Sequence, residues 1–83
     1  MDVFATMSGV FRRVFDDDAI VLADATTAQD IPGWDSLTHI NLIIEIEEEF
    51  GLTFTVDDIA TLKNVGEMVA MVERKLAAKR NNA

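Results

Sequence analysis

Cysteine and tyrosine are absent from this chain, and histidine, tryptophan and proline occur once each. Without Cys there is no disulfide framework, no thiol nucleophile and no thiolate metal site. A single His leaves a structural zinc site without ligands, so no metal centre is expected. Positive charge is also scarce. Lys and Arg number 7 against 15 Asp and Glu, a formal net charge of −8. That balance argues against nucleic acid and anionic membrane surfaces as partners, since both are polyanions. It favours protein partners with a basic face. No apolar run approaches the roughly 20 residues of a membrane span. Asp2 and the lack of a basic leading segment do not resemble a secretory signal, so the cytoplasm is the expected compartment. What is present is apolar. At 83 residues and 49% hydrophobic, the chain is too rich for an acidic disordered tail. It predicts one domain, residues 1–83, held by its core alone.

The charge is unevenly placed. Between Arg13 and Lys63 there is no Lys or Arg, and that stretch holds 12 of the 15 acids. Unopposed like charges destabilise a small domain. Any one of these acids reads as solvated surface, but the stretch as a whole suggests a functional reason.

Four helical segments are expected. Phe4, Met7, Val10, Phe11 and Val14 recur at helical spacing and predict a helix over about 2–15. Asp16-Asp17-Asp18 ends it unfavourably, because anions are disfavoured at a helix C-terminus. Residues 16–34 carry no sustained periodicity and read as a long loop, a length that is often functional. A second helix is expected over 36–50, with Asp35 as its N-cap and Gly51 in the left-handed position that stops it. Leu37, Ile40, Ile43, Ile44, Ile46 and Phe50 are assigned to its buried side, and Leu42 widens that side. Thr55-Val56-Asp57-Asp58 opens a short helix over about 56–61, and Asn64-Val65-Gly66-Glu67 opens a last one over about 65–79. Val65, Met68, Val69, Val72 and Leu76 form its apolar stripe. Leu52–Thr55 alternates like a strand but has no partner, so it is expected to be extended loop. The result is an all-α fold of three main helices, one short helix and a long first loop.

Catalytic constellations fail on inspection. An EF-hand loop starting at Asp16 needs Gly at its sixth position and an acid at its twelfth, where Val21 and Thr27 stand. Ser36, His39 and Asp35 can be drawn as a triad. However, no other element holds the base, and so short a chain leaves no substrate cleft. A Ser in the first turn of a helix does, however, place its hydroxyl at the surface, where free amides favour an attached phosphate.

Gly33-Trp34-Asp35-Ser36-Leu37, with Ile40, Leu42, Ile43, Ile44 and then Glu47-Glu48-Glu49-Phe50-Gly51, resembles the acyl carrier protein family over roughly residues 3–77. The resemblance implies a four-helix bundle and a non-catalytic carrier. It implies that Ser36 receives a 4′-phosphopantetheine arm from coenzyme A, attached by a separate phosphopantetheinyl transferase. Magnesium belongs to that transferase complex. It also implies that the arm's thiol carries acyl intermediates as thioesters. Asp35, Leu37, Thr38, Asn41, Glu45, Glu48, Asp57 and Asp58 become the expected recognition residues for basic patches on acyl-loading and acyl-processing enzymes. Ile40, Ile43, Ile46, Ile59, Leu62, Met68 and Val69 could line a shelter for an acyl chain, or be simply core. A monomer is expected.

There are departures from the fatty-acid type. Thr38 and Asn41 stand where acids are usual, and Trp34 precedes the signature. This is similar to carriers that serve a dedicated pathway, whether of fatty-acid, polyketide or other specialised lipid synthesis. Asp35 favours acyl cargo over an aminoacyl or peptidyl cargo. A helical acidic interaction module without a prosthetic group remains the alternative of a different class. Trp34 is expected to clamp the first loop, and His39 to be exposed and without special function. Contact between His39 and the phosphate of the arm is its alternative.

Overall fold

The computed structural model describes residues 2–60 and 62–81, with Arg80 and Asn81 described as backbone. Helix α1 spans Val3–Val14, a 3-10 turn Ala28–Asp30, α2 Ser36–Phe50, α3 Val56–Ala60 and α4 Val65–Asn81. Thr61, the expected end of α3, lies outside the described residues. Among the described residues there is no strand, and Leu52–Thr55 runs as irregular chain.

The caps follow from sequence chemistry. Asp2 Oδ1 accepts from the Ala5 amide at 3.1 Å, and Arg12 and Arg13 sit in the last turn of α1. Those cations complement the carbonyl end of the helix, which Asp16–Asp18 do not. Asn64 Oδ1 accepts from the Glu67 amide at 2.9 Å and opens α4. Gly51 stops α2 in the left-handed region at φ 65°, and Lys79 Nζ donates to its carbonyl at 2.8 Å. α1 packs mainly on α2 and α4. Met7, Val10, Phe11, Leu42, Ile46, Met68, Val65 and Val72 are almost fully buried at that junction.

The buried side of α2 differs from the sequence expectation. It is formed by Leu42, Ile43, Ile46 and Phe50. Leu37, Ile40 and Ile44 are 80%, 60% and 46% exposed. The helix is apolar on nearly every side along its first ten residues, so composition alone does not fix its rotation. Residues 42, 43, 46 and 50 share one stripe, and residues 37, 40 and 44 share a different one.

The first loop is less irregular than expected. Thr27 and Asp30 form a reciprocal capping box around the 3-10 turn: the Thr27 amide donates to Asp30 Oδ2 at 2.9 Å, and Thr27 Oγ1 accepts from the Gln29 amide at 3.3 Å. Ile20, Leu22 and Ile31 are buried in the core. Arg12 Nε donates to the Ile20 carbonyl at 2.9 Å. The amides of Val65 and Gly66 donate to the carbonyls of Thr26 and Asp24 at 2.9 and 2.8 Å. These anchors are single residues at uneven spacing, which no periodicity search detects.

Helix α3 is short and has no buried residue. Its N-terminus is closed by Thr55 and Asp58, each accepting the other's amide at 2.9 and 3.1 Å. Lys75 Nζ of α4 lies 2.8 Å from Asp58 Oδ2 and 5.9 Å from the centre of the Phe54 ring. The Lys75 contact and these caps hold the Asp58 carboxyl down at about 2. Replacing Lys75 with Met is therefore expected to speed amide exchange in α3 while leaving α1 and α2 protected. Residue-resolved hydrogen exchange checks this.

Candidate functional site

The head of α2 collects the singular residues of the chain. Asp35 Oδ1 accepts from the amides of Leu37 and Thr38, both at 3.0 Å. Thr38 answers: its Oγ1 accepts from the Asp35 amide at 2.7 Å and its hydroxyl donates to the Gly33 carbonyl at 2.7 Å. The Thr38 amide and hydroxyl, then the Leu37 amide, hold the Asp35 carboxyl below its usual range. Asp35 is thus an ionised, exposed carboxylate in a fixed position. Thr38, expected as a recognition residue, spends its hydroxyl within this cap.

Ser36 follows as the first residue of α2 and is exposed. The chain has two serines, Ser8 and Ser36. Ser8 is 7% exposed and its hydroxyl donates to the Phe4 carbonyl at 3.1 Å, which withdraws it from chemistry. Of the two serines, only Ser36 is exposed to solvent.

Trp34, expected to clamp the first loop, stands against the end of α1. Its ring meets Phe11 edge-on at 5.2 Å and Phe15 at 6.1 Å. Its Nε1–H donates to His39 Nδ1 at 3.0 Å, and the two rings stack at 6.0 Å and 16°. His39 is half-buried, not exposed as expected. As the acceptor, Nδ1 carries no proton, so the neutral ring carries it on Nε2. Ala28, Trp34, Asp35, Ser36 and His39 line an open cavity of about 410 Å³. The sequence offered one signal for this pair, the i, i+5 spacing of the single Trp and the single His across a helix start.

Burial pushes the His39 pKa below its ordinary 6.5. A proton on Nδ1 would also remove the acceptor for Trp34. The folded state therefore resists protonation more than the unfolded chain does. His39 contributes stability above the unfolded value, and that contribution is lost as pH falls through the lower folded value. Melting temperature is expected to decline as pH falls below the ordinary imidazole value, and His39→Gln to flatten that slope.

The remaining expected recognition residues scatter. Leu37, Asn41, Glu48 and Asp57 are exposed. Glu45 and Glu49 are bound by Arg13 Nη2 at 3.1 and 3.5 Å. Glu47 accepts the Phe54 amide at 2.7 Å, and Asp58 is held by Lys75. Of the acyl-shelter residues, Ile43, Ile46, Met68 and Val69 belong to the core, and Ile59 and Leu62 are partly buried against it. Ile40 does not belong with them, because at 60% exposure it faces outward. Among the described residues no group of His, Cys, Asp or Glu is arranged to hold a metal ion. No described helix is long and apolar enough to cross a membrane.

The phosphopantetheine attachment site family matches residues 6–72. An acyl carrier protein from Thermotoga maritima is 33% identical over 76 residues, covering 90% of this chain and 93% of that protein. One from Amoebophilus asiaticus is 38% identical over 61 residues, covering 74% and 75%. The solution NMR structure of holo acyl carrier protein from Geobacter metallireducens superimposes with a TM-score of 0.92 at 42% identity, over 100% of this chain and 95% of that one. The chain belongs to the acyl carrier protein family. It is a non-catalytic carrier on which a covalent 4′-phosphopantetheine arm holds acyl groups.

Proposed function

We propose that Ser36 is the attachment point, and that the loaded chain shuttles acyl intermediates between enzymes of a dedicated lipid-forming pathway. The observation that carries this is the exposure of Ser36, against a buried and bonded Ser8, at the head of a helix capped by Asp35. In the attachment step Ser36 Oγ bonds to the β-phosphate of coenzyme A within a phosphopantetheinyl transferase. The bond from that phosphorus to the bridging oxygen breaks, adenosine 3′,5′-diphosphate leaves, and the hydroxyl proton passes to the transferase.

The residues present fit such a group. With no Cys in the chain, the arm supplies the thiol that holds the acyl group as a thioester. Asp35 stays ionised for recognition by the transferase. The His39 tautomer leaves Nε2–H as a donor one turn from Ser36, suited to the phosphodiester, and the Trp34 side of the cavity offers the arm an apolar wall. Cargo shelters against Ile43, Ile46, Ile59, Leu62, Met68 and Val69, where the soft side chain of Met68 permits local opening. Trp34, Thr38 and Asn41 support service in a pathway other than general fatty-acid synthesis. The protein works in the cytoplasm as a monomer, since its net charge of −8 repels a second copy. Incubation with coenzyme A, magnesium and a broad-specificity transferase should add the mass of one arm per chain. A protein left unmodified by several such transferases would overturn the assignment.

A further inference from the structure

Packing of the first loop uses only part of the Trp34 ring, the part that meets Phe11 and Phe15. The rest of the ring faces an open cavity of about 410 Å³, together with Ala28 of the 3-10 turn and His39 of α2. Small-molecule sites typically run from about 300 to 1,000 Å³. Ser36 is itself part of the lining, so a group bonded to its hydroxyl begins inside the cavity. The lining offers two kinds of contact in a set order. His39 lies one turn from Ser36, and because its Nδ1 accepts from Trp34 Nε1–H at 3.0 Å, its Nε2 carries a proton to donate. Trp34 and Ala28 add apolar surface. The arm has the matching order: an anionic phosphodiester at the serine, then a carbon bearing two methyl groups. Asp35 also lines the cavity, and its charge is met by the Leu37 and Thr38 amides.

Resting on the assignment of Ser36, we propose that this cavity seats the phosphate end of the arm, with the phosphodiester on His39 Nε2–H and the paired methyl groups against Trp34 and Ala28, and that seating tightens the Trp34 clamp. The covalent tether makes the contact intramolecular, at an effective concentration of about a millimolar or more, so even a weak seat is populated. Coupling to the clamp follows from the hydrogen-bond chain. An anion accepting from Nε2–H polarises the imidazole and makes Nδ1 a stronger acceptor for the Trp34 indole. Trp34 rests on Phe11 and Phe15, so the effect of loading reaches the end of α1. These contacts engage only the phosphate end and leave the thiol end free for cargo.

The chain has one Trp and no Tyr, so its indole emission reports Trp34 alone. The test compares the unloaded chain with the chain whose arm is confirmed by intact mass. Loading should shift the emission to shorter wavelength, as the arm covers the ring, and should slow exchange of the indole Nε1–H by about tenfold. Proton NMR should show contacts from the two arm methyl groups to the Trp34 ring and the Ala28 methyl. Ala28→Leu, at an exposed turn position, fills the cavity and should remove both the methyl contacts to Trp34 and the emission shift. His39→Phe keeps a ring against Trp34 but removes both nitrogens, so loading should no longer slow indole exchange. A loaded wild-type chain with unchanged emission, unchanged indole exchange and no methyl contacts overturns the seat while leaving Ser36 assigned. Contacts that persist in Ala28→Leu also overturn it. A wild-type chain that takes up no arm at all overturns both.

Discussion

The Ser36→Ala protein is expected to take up no arm at all while melting where the wild type does. Its loss of function is complete because the bond to phosphorus is made by the hydroxyl that the substitution removes. Its stability is kept for three structural reasons. Ser36 is exposed, so no cavity forms. The cap of α2 is made by Asp35 and Thr38, and the Ser36 side chain takes no part in it. Ala is also the best helix former, which offsets any small loss. The change in stability should be within about 0.5 kcal/mol. Asp35→Ala gives the opposite pattern in folding, since removing an N-cap of this kind costs about 1 kcal/mol. Intact mass and thermal melting of the two variants separate chemistry from scaffold. An arm on the Ser36→Ala chain would place the attachment elsewhere.

Trp34→Ala is expected to produce the largest loss of stability for any single change near the site. Trp34 rests against Phe11 and Phe15 of α1 and donates to His39 of α2, so it joins two helices through the loop between them. Truncating a buried Trp or Phe costs about 3–5 kcal/mol. For this half-buried ring about 2–3 kcal/mol is expected, a large share of the 5–15 kcal/mol typical of a domain. At this size that lowers the melting temperature by roughly 10–20 °C. Trp34→Phe keeps the aromatic packing and loses only the hydrogen bond, so about 1 kcal/mol is expected. A Trp34→Ala protein that melts within a few degrees of the wild type would show that the ring is not a clamp.

The helices and the cap that sets Ser36 at the head of α2 were legible in the sequence because their signals are local. Asp35 and Gly51 bracket α2 by chemistry that acts within one turn, and Met7, Val10 and Phe11 repeat at the helical period. The orientation of α2 was not legible. A helix with Ile or Leu at positions 37, 40, 42, 43, 44 and 46 can be rotated into the core in more than one way. The choice is made by neighbours distant in sequence, chiefly α1. The same limit hid the role of the acids. Glu45 reads as a free docking charge until Arg13, more than 30 residues earlier, is brought beside it and Glu49. His39 read as a bland surface residue because only the fold turns the Trp34 indole toward it. The anchors of the first loop, Ile20, Leu22 and Ile31, are buried singly and leave no pattern to detect.

Peptide mapping of the loaded wild-type chain decides whether one serine carries the arm. Trypsin cuts after Lys and Arg, and the gap between Arg13 and Lys63 places Ser36 in the peptide 14–63 and Ser8 in a separate one before it. The mass of one phosphopantetheine group should appear on peptide 14–63, with fragmentation locating it on Ser36. The same mass on the peptide bearing Ser8, or on another residue of 14–63, would contradict it.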